Sequence, residues 1–219
     1  MSFDIQAIVR AQAFLWQGFQ YSVSLTLFAM SMGILGGTLL AIARLSGIKP
    51  LMWCASAYVN LFRSVPLMVV IFWFYFLLPL LVGTRIGADH SAYITFSIFE
   101  AAYYCEIIRA GIQAIRRGQV AAGYALGFTY LQNMRYIILP QAFRNILPLL
   151  LTQTIVLFQD TSLVYVIGAT DLLGAADKIA HRDNSIVEMY SFVAIIYFIL
   201  SYLLSMGVKW LHEHVAIIK

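Results

Sequence analysis

GQVAAGYALGFTYLQNMRYIILP, residues 118–140, is the one long interruption in a chain that is otherwise almost continuously apolar. Gln119–Leu126 is rich in good helix formers, and Gly127 can take the left-handed conformation that closes a helix. Thr129, with Gln132 three residues on, forms a capping-box pattern that predicts a new helix from that point. Pro140 lacks the amide proton an uninterrupted helix needs, so the second helix is expected to end or kink there. The stretch reads as a compact helical hairpin slung between apolar segments. Such a shape invites a grip from another molecule.

Composition sets the surroundings of this hairpin. Of 219 residues, 62% are hydrophobic and 11% charged, against roughly a quarter charged in an average globular domain. The chain is expected to be an all-α membrane protein and a single domain over residues 1–219, with its core at about 20–210. The net charge of +4 is spread over loops instead of gathered in one patch, so nucleic acid is not an expected partner. Cys54 and Cys105 lie in or beside apolar segments, without metal-ligand spacing or a disulfide framework.

A helix needs roughly 20 apolar residues to cross the bilayer. Asp4 and Arg10 precede a charge-free run from Ala11 to Ala43, too long for a signal-peptide core, and Tyr21–Ala43 supplies the first span. Gly33 and Gly37 within it are spaced for close helix approach, or are simply tolerated there. Pro50 breaks the chain after Arg44 and Lys49. The second span runs from Ser64 to Thr84, with Ser64 as the expected cap and Pro66 in the first turn. The third is Ser91–Arg109, the fourth Asn145–Ile167 and the fifth Met189–Val208. Between the last two, Leu172, Ala176, Ile179 and Ala180 recur at helical spacing, as expected of a short amphipathic helix lying flat at the membrane surface.

Five crossings put the two ends on opposite sides. Arg44, Lys49, Arg63, Arg109, Arg116, Arg117, Arg135, Arg144, Lys209 and Lys219 fall on one face; Arg10, Arg85, Lys178 and Arg182 fall on the other. The richer face is expected to be cytoplasmic, with the N-terminus outside and the hairpin and C-terminus inside.

No enzyme signature stands up. None of the four lysines follows a glycine, so the chain has no phosphate-binding loop of the G-K-[ST] kind, and no cofactor is expected on it. His212 and His214 are two residues apart and do not share a helix face, so no metal site is expected there. Charges inside the spans are the sharper signal. Glu106 and Arg109 are spaced to pair along the third span. Glu100 lies about 13 Å deeper than Arg109, with Tyr103 and Tyr104 one turn along; Asp160, followed by Thr161 and Ser162, interrupts the fourth span roughly 22 Å in. These six, Glu100, Tyr103, Tyr104, Asp160, Thr161 and Ser162, are candidate lining for a solute pathway. Five helices are few to enclose one, so a second membrane subunit is expected.

The hairpin also carries a resemblance. ABC-importer permeases share a cytoplasmic signature, E-A-A-x-x-x-G-x9-I-x-L-P. Here Ala122, Gly127, Ile137, Leu139 and Pro140 match it, while Ala121 replaces its glutamate and Gly123 its second alanine. LFRSVPLMVV, AAYYCEIIRAGIQAI and QDTSLVYVIGATDLLG resemble segments of the polar amino-acid permeases, so the likeness runs along nearly the whole chain. Within that family the chain is most similar to permeases of glutamate/aspartate importers.

The resemblance implies one half of a type I importer channel in the bacterial inner membrane. Its implied partners are a second permease subunit (self or paralogue), ABC ATPase subunits that bind the ATP, a periplasmic substrate-binding protein and an amino acid. Gly118, Ala122, Ala125, Gly127, Leu139 and Pro140 would form the ATPase-coupling surface. Glu100 and Asp160 by themselves point to a cationic amino acid such as arginine or histidine, whereas the resemblance points to an acidic one; glutamine stays open too. A self-sufficient secondary transporter or channel would show inverted repeats, and none is found. The hairpin also has the outline of a DNA-binding helix-turn-helix, but it is short and tethered by spans at both ends.

Overall fold

The computed structural model describes residues 5–84 and 86–215; Asp4, Arg85 and Lys219, which entered the charge reading, lie outside the described residues. Helices account for nearly all of the structure, and no strand occurs among the described residues.

Helix α1, Ile5–Leu45, has 41 residues and at 1.5 Å per residue is about 60 Å long. It starts well before the predicted Tyr21. The added turns are held because Ala7, Ala11 and Leu15 pack against Leu172, Ala175 and Ile179 of a later helix. The C-terminal part of α1 lies along α5, Ala88–Gln113, and this is the main seam of the molecule. A Cβ on Gly37 would stand 2.7 Å from the backbone nitrogen of Cys105, and one on Gly33 would stand 2.9 Å from Glu100 Cβ. The glycine pair is therefore a packing surface that lets two backbones approach.

Between these two helices the chain departs from expectation. Pro50 does not break it but opens α2, Lys49–Ser64, from a first-turn position that needs no amide. Ser64 ends that helix instead of capping the next. Pro66 is the N-cap of α3, Leu67–Phe72, which continues through a π turn, Trp73–Leu77, into α4, Leu78–Val82. Val65 is extended (φ −114°, ψ 136°), as a residue before proline must be. The two runs consequently meet at 107°.

After α5 come α6, Arg117–Ala125, and α7, Tyr130–Asn133. Of the two expectations for Pro140, an end or a kink, the end does not occur: the second helix of the hairpin continues past it. A π turn, Met134–Ile138, leads straight into α8, Leu139–Asp160, with Pro140 in its first turn. The wider π turn relieves the proline's clash with the preceding carbonyl and its missing hydrogen bond. The fourth segment thus begins at Leu139, ahead of the predicted Asn145, and tightens into a 3₁₀ turn, Thr161–Ile167.

Helix α9, Leu172–Arg182, and α10, Ile186–Val215, complete the chain. The face of α9 predicted to lie on a membrane is buried in protein: Leu172, Ala176, Ile179 and Ala180 pack with the N-terminal end of α1 and with Met189 and Val193 of α10. Asp171 caps α9, accepting hydrogen bonds from Leu173 N (3.0 Å) and Gly174 N (2.9 Å). Burial pushes its carboxyl up to about 6.

Three helical runs are long and apolar enough to cross a membrane, Gln6–Leu45, Tyr130–Ile167 and Ile186–His214, and the bent pair makes a fourth if counted as one span. Helix α5 is long enough with 26 residues, but Glu100, Glu106 and its hydroxyl residues dilute its hydropathy. It lies at the centre instead, with Phe96, Phe99 and Ala92 in the largest apolar cluster.

Candidate functional site

The hairpin is built as its sequence dictates. Gly127 has φ +81°, and its N–H donates to Tyr124 O (2.9 Å) while Phe128 N–H donates to Gly123 O (3.1 Å). Together these bonds close α6 in a Schellman motif. Gln132 N donates to Thr129 Oγ1 (3.3 Å) and Thr129 N to Gln132 Oε1 (2.9 Å), so the predicted capping box is complete. Gly118, Ala122, Ala125, Gly127, Leu139 and Pro140 are all exposed, as is Ala121 at the signature's glutamate position. Leu126 (74% exposed) and Leu131 (75%) stand out furthest, flanked by exposed Arg116, Arg117 and Arg135. The result is an apolar knob with a basic rim.

Inside the bundle, Glu106 and Arg109 pair as their spacing predicted. Two further guanidinium groups converge on the same carboxylate: Arg44 of α1 at 2.5 Å and Arg63 of α2 at 3.9 Å. Sequence reading missed them because they come from other helices. The available signal was that both arginines lie in the last turn of a helix and on the same basic face as Arg109. One carboxylate thereby ties three helices together.

The six pathway candidates separate into two groups. Glu100 is fully buried and receives Gln153 Nε2 at 3.2 Å on each carboxyl oxygen. Tyr104 is buried beside it, its hydroxyl 3.0 Å from Thr154 Oγ1. Thr161 is buried too, donating to Phe158 O at 2.7 Å. These three are sealed within the protomer.

Tyr103, Asp160 and Ser162 keep partial exposure. Tyr103 does not share the surroundings of Tyr104; its ring carries the Arg63 guanidinium 5.6 Å from its centroid. A groove of about 420 Å³ is lined by Gln159 and Ser162, which bracket Asp160 in the chain, and by Tyr197, Phe198, Ser201, Tyr202 and Ser205 of α10. Ser201 Oγ, buried at its edge, has no hydrogen-bond partner among the described residues. Hydroxyls and an amide set among aromatic rings in a helix groove suit the face of a second helical subunit.

An exposed helical knob next to a bundle with polar groups at depth defines a membrane transport component. Consistent with this, residues 17–216 match the family of binding-protein-dependent transport system inner membrane components, and the chain belongs to that family. It is therefore a transport subunit and not an enzyme. Among particular proteins, it is 48% identical to the glutamate/aspartate import permease protein GltK of Escherichia coli O157:H7, over 98% of this chain and 99% of the relative. It is 35% identical to a probable glutamine ABC transporter permease protein, GlnM of Bacillus subtilis, over 90% of each. Of solved structures, an amino acid ABC transporter crystallised with histidines superposes with a TM-score of 0.93 at 34% identity, covering 98% of this chain and 100% of that one. The MetNI methionine ABC transporter matches in fold, with a TM-score of 0.72 at 23% identity over 93% and 97%.

Proposed function

We propose that this chain is the permease subunit of an ATP-driven importer that brings glutamate and aspartate across the bacterial inner membrane. The observation that carries the reading is the end-to-end 48% identity to a glutamate/aspartate import permease. In this reading the chain is one permease domain of five spans, the bent α2–α4 run and α5 being the second and third. The N-terminus is periplasmic; the C-terminus and hairpin are cytoplasmic. The hairpin knob seats in a separate ABC ATPase, which binds the ATP, and this chain carries no cofactor. A periplasmic binding protein delivers the amino acid, and a second permease subunit covers the hydroxyl-lined groove.

Because a partner that binds two states equally shifts neither, the ATPase must grip the hairpin more tightly in one conformation. The solute passes Tyr103, Asp160 and Ser162. Arg63 supports an anionic solute: Arg44 and Arg109 already occupy Glu106, which leaves Arg63, with 41% of its side chain exposed, as the least-neutralised cation of the cluster. Uptake of labelled glutamate by the assembled transporter tests the reading, with aspartate, glutamine, arginine and histidine as competitors. Competition by aspartate alone is expected. Competition by arginine or histidine instead, or proton-driven uptake without an ATPase, would overturn it.

A further inference from the structure

Gly123 is the one residue between Arg116 and Phe128 that is buried, and what covers it is the side chain of Asn133 from the other helix of the hairpin. A Cβ added to Gly123 would lie 2.3 Å from Asn133 Oδ1, 2.7 Å from its Cγ and 2.6 Å from Ile137 Cδ1. Ile137 offers the far end of a flexible side chain and can step aside. Asn133 cannot: it is fully buried, and its Nδ2 donates to Val120 O at 2.9 Å. Its Oδ1 has no hydrogen-bond partner among the described residues and faces the α-carbon of Gly123, where only a weak C–H···O contact is on offer. Gly123 also supplies the carbonyl that accepts Phe128 N–H at 3.1 Å. One residue therefore fixes both the closure of α6 and its approach to α7.

We propose that Gly123 and Asn133 are a matched pair of positioning residues that sets the angle between the two helices of the hairpin, and with it how the exposed knob is presented to the ATPase. Asn133 acts as a spacer, bonded to α6 at Val120 and seated in the hollow that the glycine leaves. The missing side chain and the amide are complementary, so neither is expected to tolerate change alone. The inference rests on the hairpin being the coupling element.

The test is a double-mutant cycle in the intact transporter, comparing Gly123→Ala, Asn133→Ala and the two combined. Uptake and ATP hydrolysis are read at equal membrane abundance. Gly123→Ala is expected to lower the amino acid moved per ATP hydrolysed by about tenfold, and Asn133→Ala by a few fold. In the double variant the removed amide leaves room for the new methyl group, and at least half of the wild-type ratio is expected to return. Effects that multiply in the double variant, or a Gly123→Ala variant indistinguishable from wild type, overturn the pairing. If the single variants change abundance alone, with transport per ATP unaltered, the pair braces the fold without positioning the knob, and the proposal also fails. Gly127→Asp separates this failure from failure of the coupling reading. If Gly127→Asp abolishes uptake while Gly123→Ala is silent, only the pairing is lost; if both are silent, the hairpin is not the coupling element.

Discussion

At Gly127 nothing stands within 4 Å of where a Cβ would be, whereas at Gly37 the backbone of Cys105 would be met at 2.7 Å. The hairpin's turn uses glycine for the sign of a dihedral angle; the α1–α5 seam uses it for volume, as Gly123 does within the hairpin. The two regions should fail differently. A change in the seam separates two long helices and removes the protein. A change in the hairpin turn leaves the bundle standing and removes only what is done with it.

The largest stability effect is expected at Glu106, where Glu106→Ala leaves three arginines facing one another. Loss of one partner from a partly buried ionic cluster costs on the order of 3 kcal/mol. The thermal midpoint of the purified protein should drop markedly, and Arg44→Gln on the wild-type background should drop it less. Gly37→Val comes next, at about 2 kcal/mol for overpacking a seam that has no flexible atom to displace. A midpoint unchanged from wild type would show that the α1–α5 contact is looser than described.

Asp171, which caps α9 against Gly18 of α1, gives the bundle a pH dependence. Its carboxyl is raised from 3.8 to about 6 by burial, so ionisation is harder in the folded state. The folded protein holds the proton more tightly than the unfolded one. Stability is therefore greatest below about pH 4 and falls as pH rises through 6, by on the order of 2 kcal/mol. Asp171→Asn, which can still cap α9, should flatten that slope in denaturation profiles between pH 4 and 7. The smallest stability effect, about 1 kcal/mol, belongs to Gly127→Asp, which forces a side chain into left-handed backbone. That variant should insert normally and transport nothing; normal uptake at equal abundance would erase the contrast between the two regions.

The same contrast explains what the sequence disclosed. Gly127, Thr129 and Gln132 act on neighbours within five residues, so the turn and its capping box were readable directly. The apolar runs located most spans for the same reason, since hydropathy is local. Pro50 and Ser64 were misread, and the helix end allowed for at Pro140 did not occur, because a proline's rule fixes only what it forbids: it permits a helix start as readily as a stop, and a π turn makes room for it. Arg44 and Arg63 were invisible as partners of Glu106 because 62 and 43 residues separate them from it. Likewise the apolar stripe of α9 was legible as a stripe, but nothing in its spacing says whether lipid or protein covers it. Gly123 looked like a minor departure from a signature until Asn133 was seen above it.

Helix α1 has one consequence of a mechanical kind. Its C-terminal end is tied down at Arg44, and its N-terminal end, about 30 to 37 residues away, carries α9 on Ala7, Ala11 and Leu15. A rod about 60 Å long that pivots by 5° at one end sweeps the other through about 5 Å. Any tilt of that size, though too small to disturb a hydrogen bond in the helix, would move the opposite end by about the size of a side chain.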